Sequence, residues 1–111
     1  MIGEISRIGD TVGPGNGEGG LTADSVRSID ANTYMEVFNI NQSIESAKKV
    51  TLQVEPSTKE NAVLVFFSGS AQDYGIDFEI LNGNEVHWNG LGMDAEGIAI
   101  DGEKFYVQYV V

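Results

Sequence analysis

Four carboxylates, Asp94, Glu96, Asp101 and Glu103, fall within ten positions near the end of the chain. Carboxylates so crowded could hold a hard cation. Calcium, however, wants about six to eight oxygen ligands, and the Asp-x-Asp-x-Asp-Gly order of an EF-hand loop is missing. Asp101-Gly102 is also ordinary turn chemistry. The spacing therefore predicts turns, with no metal and no cofactor. His87 is the only histidine. Catalysis by imidazole needs a nucleophile or a substrate proton within hydrogen-bond reach. There is no cysteine, and Ser68 and Ser70 stand outside any G-x-S-x-G frame. No residue is assigned a catalytic role, and the chain is expected not to be an enzyme. Gly15-Asn-Gly-Glu-Gly-Gly20 spells G-x-G-x-x-G. A dinucleotide loop follows a strand, and none of useful length precedes this one; Glu18 would also sit beside the pyrophosphate. Phe67, Tyr74, Trp88 and Tyr106 could form an aromatic platform for a sugar or a partner. Aromatic residues on strands more often go to the core, where each buries about 150–250 Å².

The elements that would position these residues are short strands. Residues 62–67, Ala-Val-Leu-Val-Phe-Phe, form a continuous apolar run, whereas 77–80 and 85–88 alternate around Asn82-Gly83-Asn84. Residues 104–111 put Phe105, Val107, Tyr109 and Val111 on one face. Alternation bounded by Asn and Gly is the signal of antiparallel strands and hairpins. Residues 33–40 and 50–54 add two more strands, residues 43–48 a short helical turn, and residues 21–29 one or two helical turns with Thr22 as N-cap. Residues 89–94 read as a Gly-rich loop. No long amphipathic helix separates the strands, which disfavours a parallel α/β fold. The fold class expected is all-β, a compact antiparallel β-sandwich or half-open barrel with an extended Gly-rich N-terminal arm. Trp88, Phe78, Ile80, Val86, Leu52 and Leu64 are its expected core.

Length and charge narrow the function. At 111 residues the chain is one domain, divided here into the arm at 1–21 and a β domain at 22–111. Net charge is −11, from 17 acidic and 6 basic residues. Between Lys59 and Lys104 there are nine acids and no Lys or Arg. Such a surface repels phosphates, so neither nucleic acid nor an anionic membrane is an expected partner. It serves solubility, a basic docking surface on a partner, or cation binding. No apolar run approaches the ~20 residues of a membrane span, and the first residues lack the pattern of a signal peptide. Within the arm, Gly13, Gly15, Gly17, Gly19 and Gly20 crowd eight positions, and Ile2, Ile5 and Ile8 recur every third residue. Ordering a chain costs about 1–2 kcal/mol per residue, which contacts made by glycine do not repay. These eight residues are therefore the expected partner-binding set, laid across a neighbouring chain.

The order Lys49-Val-Thr-Leu52, Ala62-Val-Leu-Val-Phe66, Ser70-Ala-Gln72, Tyr74-Gly-Ile-Asp-Phe78, Gly83-Asn84, Val86-His-Trp-Asn-Gly-Leu-Gly92 and Gly102-Glu-Lys-Phe-Tyr-Val-Gln-Tyr109 resembles a small β module of tailed-bacteriophage virion structural proteins, of the decoration or tail-fibre-associated type. The resemblance covers about residues 48–111. It implies a non-enzymatic virion protein that docks in many copies on a capsid or tail structural protein, with homo-oligomeric or array contacts. The loop at 93–99 is more acidic than that pattern, and residues 1–21 have no counterpart in it. The alternative is a carbohydrate- or Ca-binding β module of a fibre or adhesin.

Overall fold

The computed structural model describes residues 20–111. The chain runs through β1 (Ser25–Asp30), β2 (Thr33–Asn39), α1 (Gln42–Ala47), β3 (Lys49–Thr51), a 3-10 turn (Lys59–Asn61), β4 (Val63–Phe66), β5 (Ala71–Gln72), β6 (Glu79–Leu81), β7 (Glu85–His87), α2 (Gly92–Glu96) and β8 (Lys104–Val110). Two antiparallel sheets result, ordered β1-β2-β8-β4-β5 and β3-β7-β6. The chain is thus mainly β, as its alternation predicts.

Phe105 holds the sheets together. It sits in β8, the central strand of the larger sheet, and is fully buried. Its ring stacks on Phe38 at 5.3 Å, tilts against Phe66 at 5.4 Å and meets Trp88 edge-on at 5.9 Å. Phe38 and Phe66 come from the neighbouring strands β2 and β4; Trp88 follows β7 of the other sheet. Each such aromatic pair contributes about 0.5–1.5 kcal/mol beyond area burial. All six expected core residues are buried in this one cluster.

Three local expectations are corrected. Residues 21–29 form no helix: Ser25–Asp30 is a strand, paired with β2 from Ser25↔Val37 to Asp30↔Thr33. A helix there would have left the edge of β2 unpaired. The hairpin is closed by Asp30, whose carboxylate accepts the Asn32 N–H at 2.8 Å, and Thr22 bridges Thr51 instead of capping. The strand expected over 50–54 spans only Lys49–Thr51. The Gly-rich loop at 89–94 leads into the helical turn α2, ended by Gly97 in the left-handed region at φ 67. Gly92 starts it because a Cβ there would overlap the Asp77 carboxylate. The helical turn expected at 43–48 is present as α1, capped by Asn41, whose Oδ1 accepts the Ile44 N–H at 2.8 Å.

One polar residue stands in the core row. Glu36 is 1% exposed and lies on the inward face of β2, between Val26 of β1 and Val107 of β8. Its Oε2 accepts the Gln53 N–H at 2.8 Å and the Tyr109 hydroxyl. The Tyr109 oxygen in turn accepts the Val54 N–H at 3.4 Å. The pair thus anchors the start of the segment that leaves β3. No cation faces Glu36 from any neighbouring element among the described residues. Burial pushes its carboxyl up to about 7, against the two hydrogen bonds that favour the ion. Burial first, then the Glu36 carboxylate, keeps the proton on Tyr109 far above the usual phenol range.

A raised carboxyl binds its proton more tightly folded than unfolded. Its contribution is therefore complete below about pH 4.5 and is lost as pH rises to about 7. With a rise from 4.5 to about 7, the loss is on the order of 3 kcal/mol. Glu36→Gln removes this slope. Denaturant titrations at intervals from pH 5 to 8 should show the variant gaining on the parent as pH rises, by roughly that amount. Parallel stability curves would refute the buried, uncompensated carboxylate.

Candidate binding surface

Among the described residues, those singled out for chemistry do not assemble into a reaction centre. His87 projects from β7 on the face opposite buried Trp88 and lies 2.9 Å from Glu85 Oε1. That carboxylate also accepts the Asn82 side-chain amide at 2.9 Å and lies 3.5 Å from the Lys49 ammonium. Asn82 first, then His87, pulls Glu85 down to about 2. So acidic a group is a poor general base near neutrality. The Ser70 hydroxyl accepts the Gln72 side-chain amide at 2.7 Å.

The four clustered carboxylates do not converge. Asp94 pairs with Lys48 at 2.5 Å and accepts the Gly90 N–H at 2.9 Å. These partners, Lys48 foremost, hold it below the usual carboxylate range. Asp101 gives its backbone N–H to Glu45 at 3.0 Å. Among the described residues, no three His, Cys, Asp or Glu side chains are placed to share a metal ion. Beside Asp94 lies a cleft of about 140 Å³, lined by Glu45, Lys48, Trp88, Met93 and Ile100 among others. Ligand pockets are typically about 300–1,000 Å³.

The four aromatic residues do not form one platform. Trp88 is sealed against Phe105, and Tyr74 packs edge-on against Phe78 at 5.5 Å. Only Phe67 and Tyr106 remain together, edge-on at 6.1 Å, with the Lys104 ammonium 4.9 Å above Phe67. They belong to a different surface, the outer face of the five-stranded sheet.

That face follows from period two. Inward on β2 and β8 are Tyr34, Glu36, Phe38, Phe105, Val107 and Tyr109; outward are the residues between them. The register places Val65, Tyr106, Val37 and Ser25 in one outward row and Val63, Gln108, Met35 and Arg27 in the next. Val63 is 46% exposed and Phe67 58%. The rows contain no carboxylate. Lys48, Lys49 and Lys59 each pair with an acid. Arg27 and Lys104, the other two described cations, pair with none among the described residues, and both lie on this face.

Of the expected partner-binding set, Ile2, Ile5, Ile8, Gly13, Gly15, Gly17 and Gly19 lie outside the described residues. Gly20 is part of the β domain's own packing. Its carbonyl accepts the Asn41 side-chain amide at 3.0 Å, and at φ 61 a Cβ would stand 2.9 Å from that nitrogen. The outer face carried a sequence signal, the unbroken apolar run at 62–67. A strand buried on one face alternates, and an unbroken run means apolar residues on both.

Calcium titrated calorimetrically into chelator-treated protein should give no saturable binding tighter than about 10⁻⁴ M. One-to-one saturation below that value would show that the carboxylates do converge on an ion.

Comparison of the chain with protein-family models, with curated proteins and with solved structures finds no match.

Proposed function

We propose that this chain is a non-enzymatic structural accessory protein of a bacteriophage particle, held in many copies on a capsid or tail protein through the outer face of its five-stranded sheet. The observation that carries the docking role is that face: two apolar rows with no carboxylate in them in a chain of net charge −11, half-exposed at Met35, Val37, Val65 and Tyr106 and exposed at Val63. An apolar sheet face of this kind marks a contact site. The strand and turn pattern over residues 48–111 supports a place in the virion. We read the two sheets as the layers of a sandwich, because no strand pairs between them among the described residues. The alternative, a carbohydrate-binding module, is less favoured because its four aromatic residues do not share a surface.

Val65→Glu tests the reading. The side chain lies on the outer face, away from the Phe105 cluster, so the variant should keep its fold. In gradient-purified particles the parent chain should be found in many copies by quantitative mass spectrometry, and the variant should fall at least about tenfold, since a buried unpaired carboxylate opposes docking. A parent chain missing from particles would refute the virion role. A variant retained at the parent level would refute this face.

A further inference from the structure

We propose that the cleft between α1 and α2 is a binding site for a single neutral sugar ring. The proposal does not rest on the docking role. Trp88 meets Phe105 on the inner side of the five-stranded sheet, and the cleft lies beyond Trp88, away from the outer face. A copy docked through its outer face keeps this cleft open to solvent.

The cleft carries an unused donor. Trp88 lines it and is 1% exposed. Its backbone N–H donates to the Lys48 carbonyl at 3.1 Å, but its indole N–H meets no acceptor among the described residues. A buried Trp N–H ordinarily finds a partner, and one without a protein partner points to a bound group. The space is about 140 Å³. One water takes about 30 Å³, and an apolar cavity of about 150 Å³ takes benzene, so the cleft suits one six-membered ring. It is a single-ring site, unlike the aromatic platform of a sheet face.

The walls are tied in place. Lys48, the left-handed C-cap of α1, pairs with Asp94 of α2 at 2.5 Å. Glu45 Oε1 accepts the Asp101 N–H at 3.0 Å, which joins α1 to the segment bearing Ile100. A preformed site avoids the cost of ordering its side chains on binding.

The unused polar groups select the ligand. The Lys48 ammonium has three donors and gives one to Asp94. The indole is a donor only. Glu45 keeps Oε2 as an acceptor. The ligand must therefore accept at the indole and Lys48 and donate to Glu45. A carboxylate cannot donate, and it would meet Glu45 and Asp94 in a chain of net charge −11. An ammonium cannot accept, so it leaves the indole unmet and approaches Lys48. Neighbouring hydroxyls on one ring do both. Met93 and Ile100 supply apolar contact for the ring's C–H groups.

The chain has one tryptophan, so one indole N–H signal reports on the cleft. The full-length, nitrogen-15-labelled chain is titrated by NMR with glucose, galactose, mannose and N-acetylglucosamine, and separately with acetate and tetramethylammonium. At least one sugar should shift the indole signal saturably, with Kd on the order of 1 mM. Glu45→Gln keeps the oxygen that holds Asp101 and should weaken that sugar at least about tenfold, as for a hydrogen bond to a charged group. Ile100→Trp fills the mouth from an exposed position and should abolish the shifts of the remaining cleft residues. No saturable shift with any of the four sugars would overturn the proposal. Saturation by acetate or tetramethylammonium alone would overturn the ligand class, and sugar binding unchanged in both variants would overturn the site. None of these outcomes bears on recovery of the chain in purified particles, which tests the docking role separately.

Discussion

A strand has two faces, and the strands at the centre of this molecule are apolar on both. In β8, Phe105, Val107 and Tyr109 point one way and Tyr106 and Val110 the other. In β4, Leu64 and Phe66 point inward while Val63 and Val65 point out. The small sheet and the two helices cover the inner face, and Phe105 meets Trp88 across the gap. Nothing among the described residues covers the outer face. The division of labour follows from that asymmetry: one face makes the fold, and the other is left for contact. The same asymmetry explains why the clefts are shallow. With one core built around a single aromatic cluster, a domain of this size has no second layer in which to set a deep pocket.

Glu36 is the exception inside the core and has a local reason. The chain leaving β3 turns away from its sheet at Gln53 and Val54, and two backbone N–H groups point where no strand can pair them. Leaving a buried donor unsatisfied costs about 1–3 kcal/mol. Glu36 and Tyr109 accept both hydrogen bonds. The cost is a carboxyl held away from water with no cation beside it, which is why it retains its proton nearly to neutrality. The exposed carboxylates behave oppositely. Glu85 and Asp94 are held low by partners, so their stabilisation is lost only as pH falls below the ordinary carboxylate range. The two effects occupy different pH windows and do not mask each other.

The sequence was informative where one face of a strand is buried. Alternation placed Trp88 inside and His87 outside, and assigned the six core residues, because period two leaves no other arrangement. It failed at the ends of the domain. Residues 25–30 are strand only because β2 offers an edge, and nothing in Ser-Val-Arg-Ser-Ile-Asp requires it; tertiary pairing overrides local propensity. The helical turn at Gly92 was hidden because two nearby glycines look like a loop until the Asp77 carboxylate is seen to demand one of them. The outer face was half legible. The unbroken run at 62–67 implied apolar residues on both sides. That Arg27 and Lys104 share the outer side is a matter of register between β1, β2 and β8, which no single strand encodes.

The acidity of the chain takes on a different meaning once the sides are known. Read linearly, nine acids between Lys59 and Lys104 look like a docking surface for a basic partner. In the fold, three lysines are already spent on Asp94, Glu85 and Glu55. On the apolar face the described carboxylates are confined to its rim, where Asp24 accepts the Asn39 side-chain amide and Asp30 bonds Thr33. Like charge on most of the surface suppresses random association, since copies approaching in most orientations repel over about a Debye length, ~8 Å at physiological ionic strength. A face whose central rows hold no carboxylate, and which bears two cations, is the orientation in which that repulsion is least. The excess acid therefore sets the direction from which a partner can approach, and apolar contact supplies the attraction once it arrives.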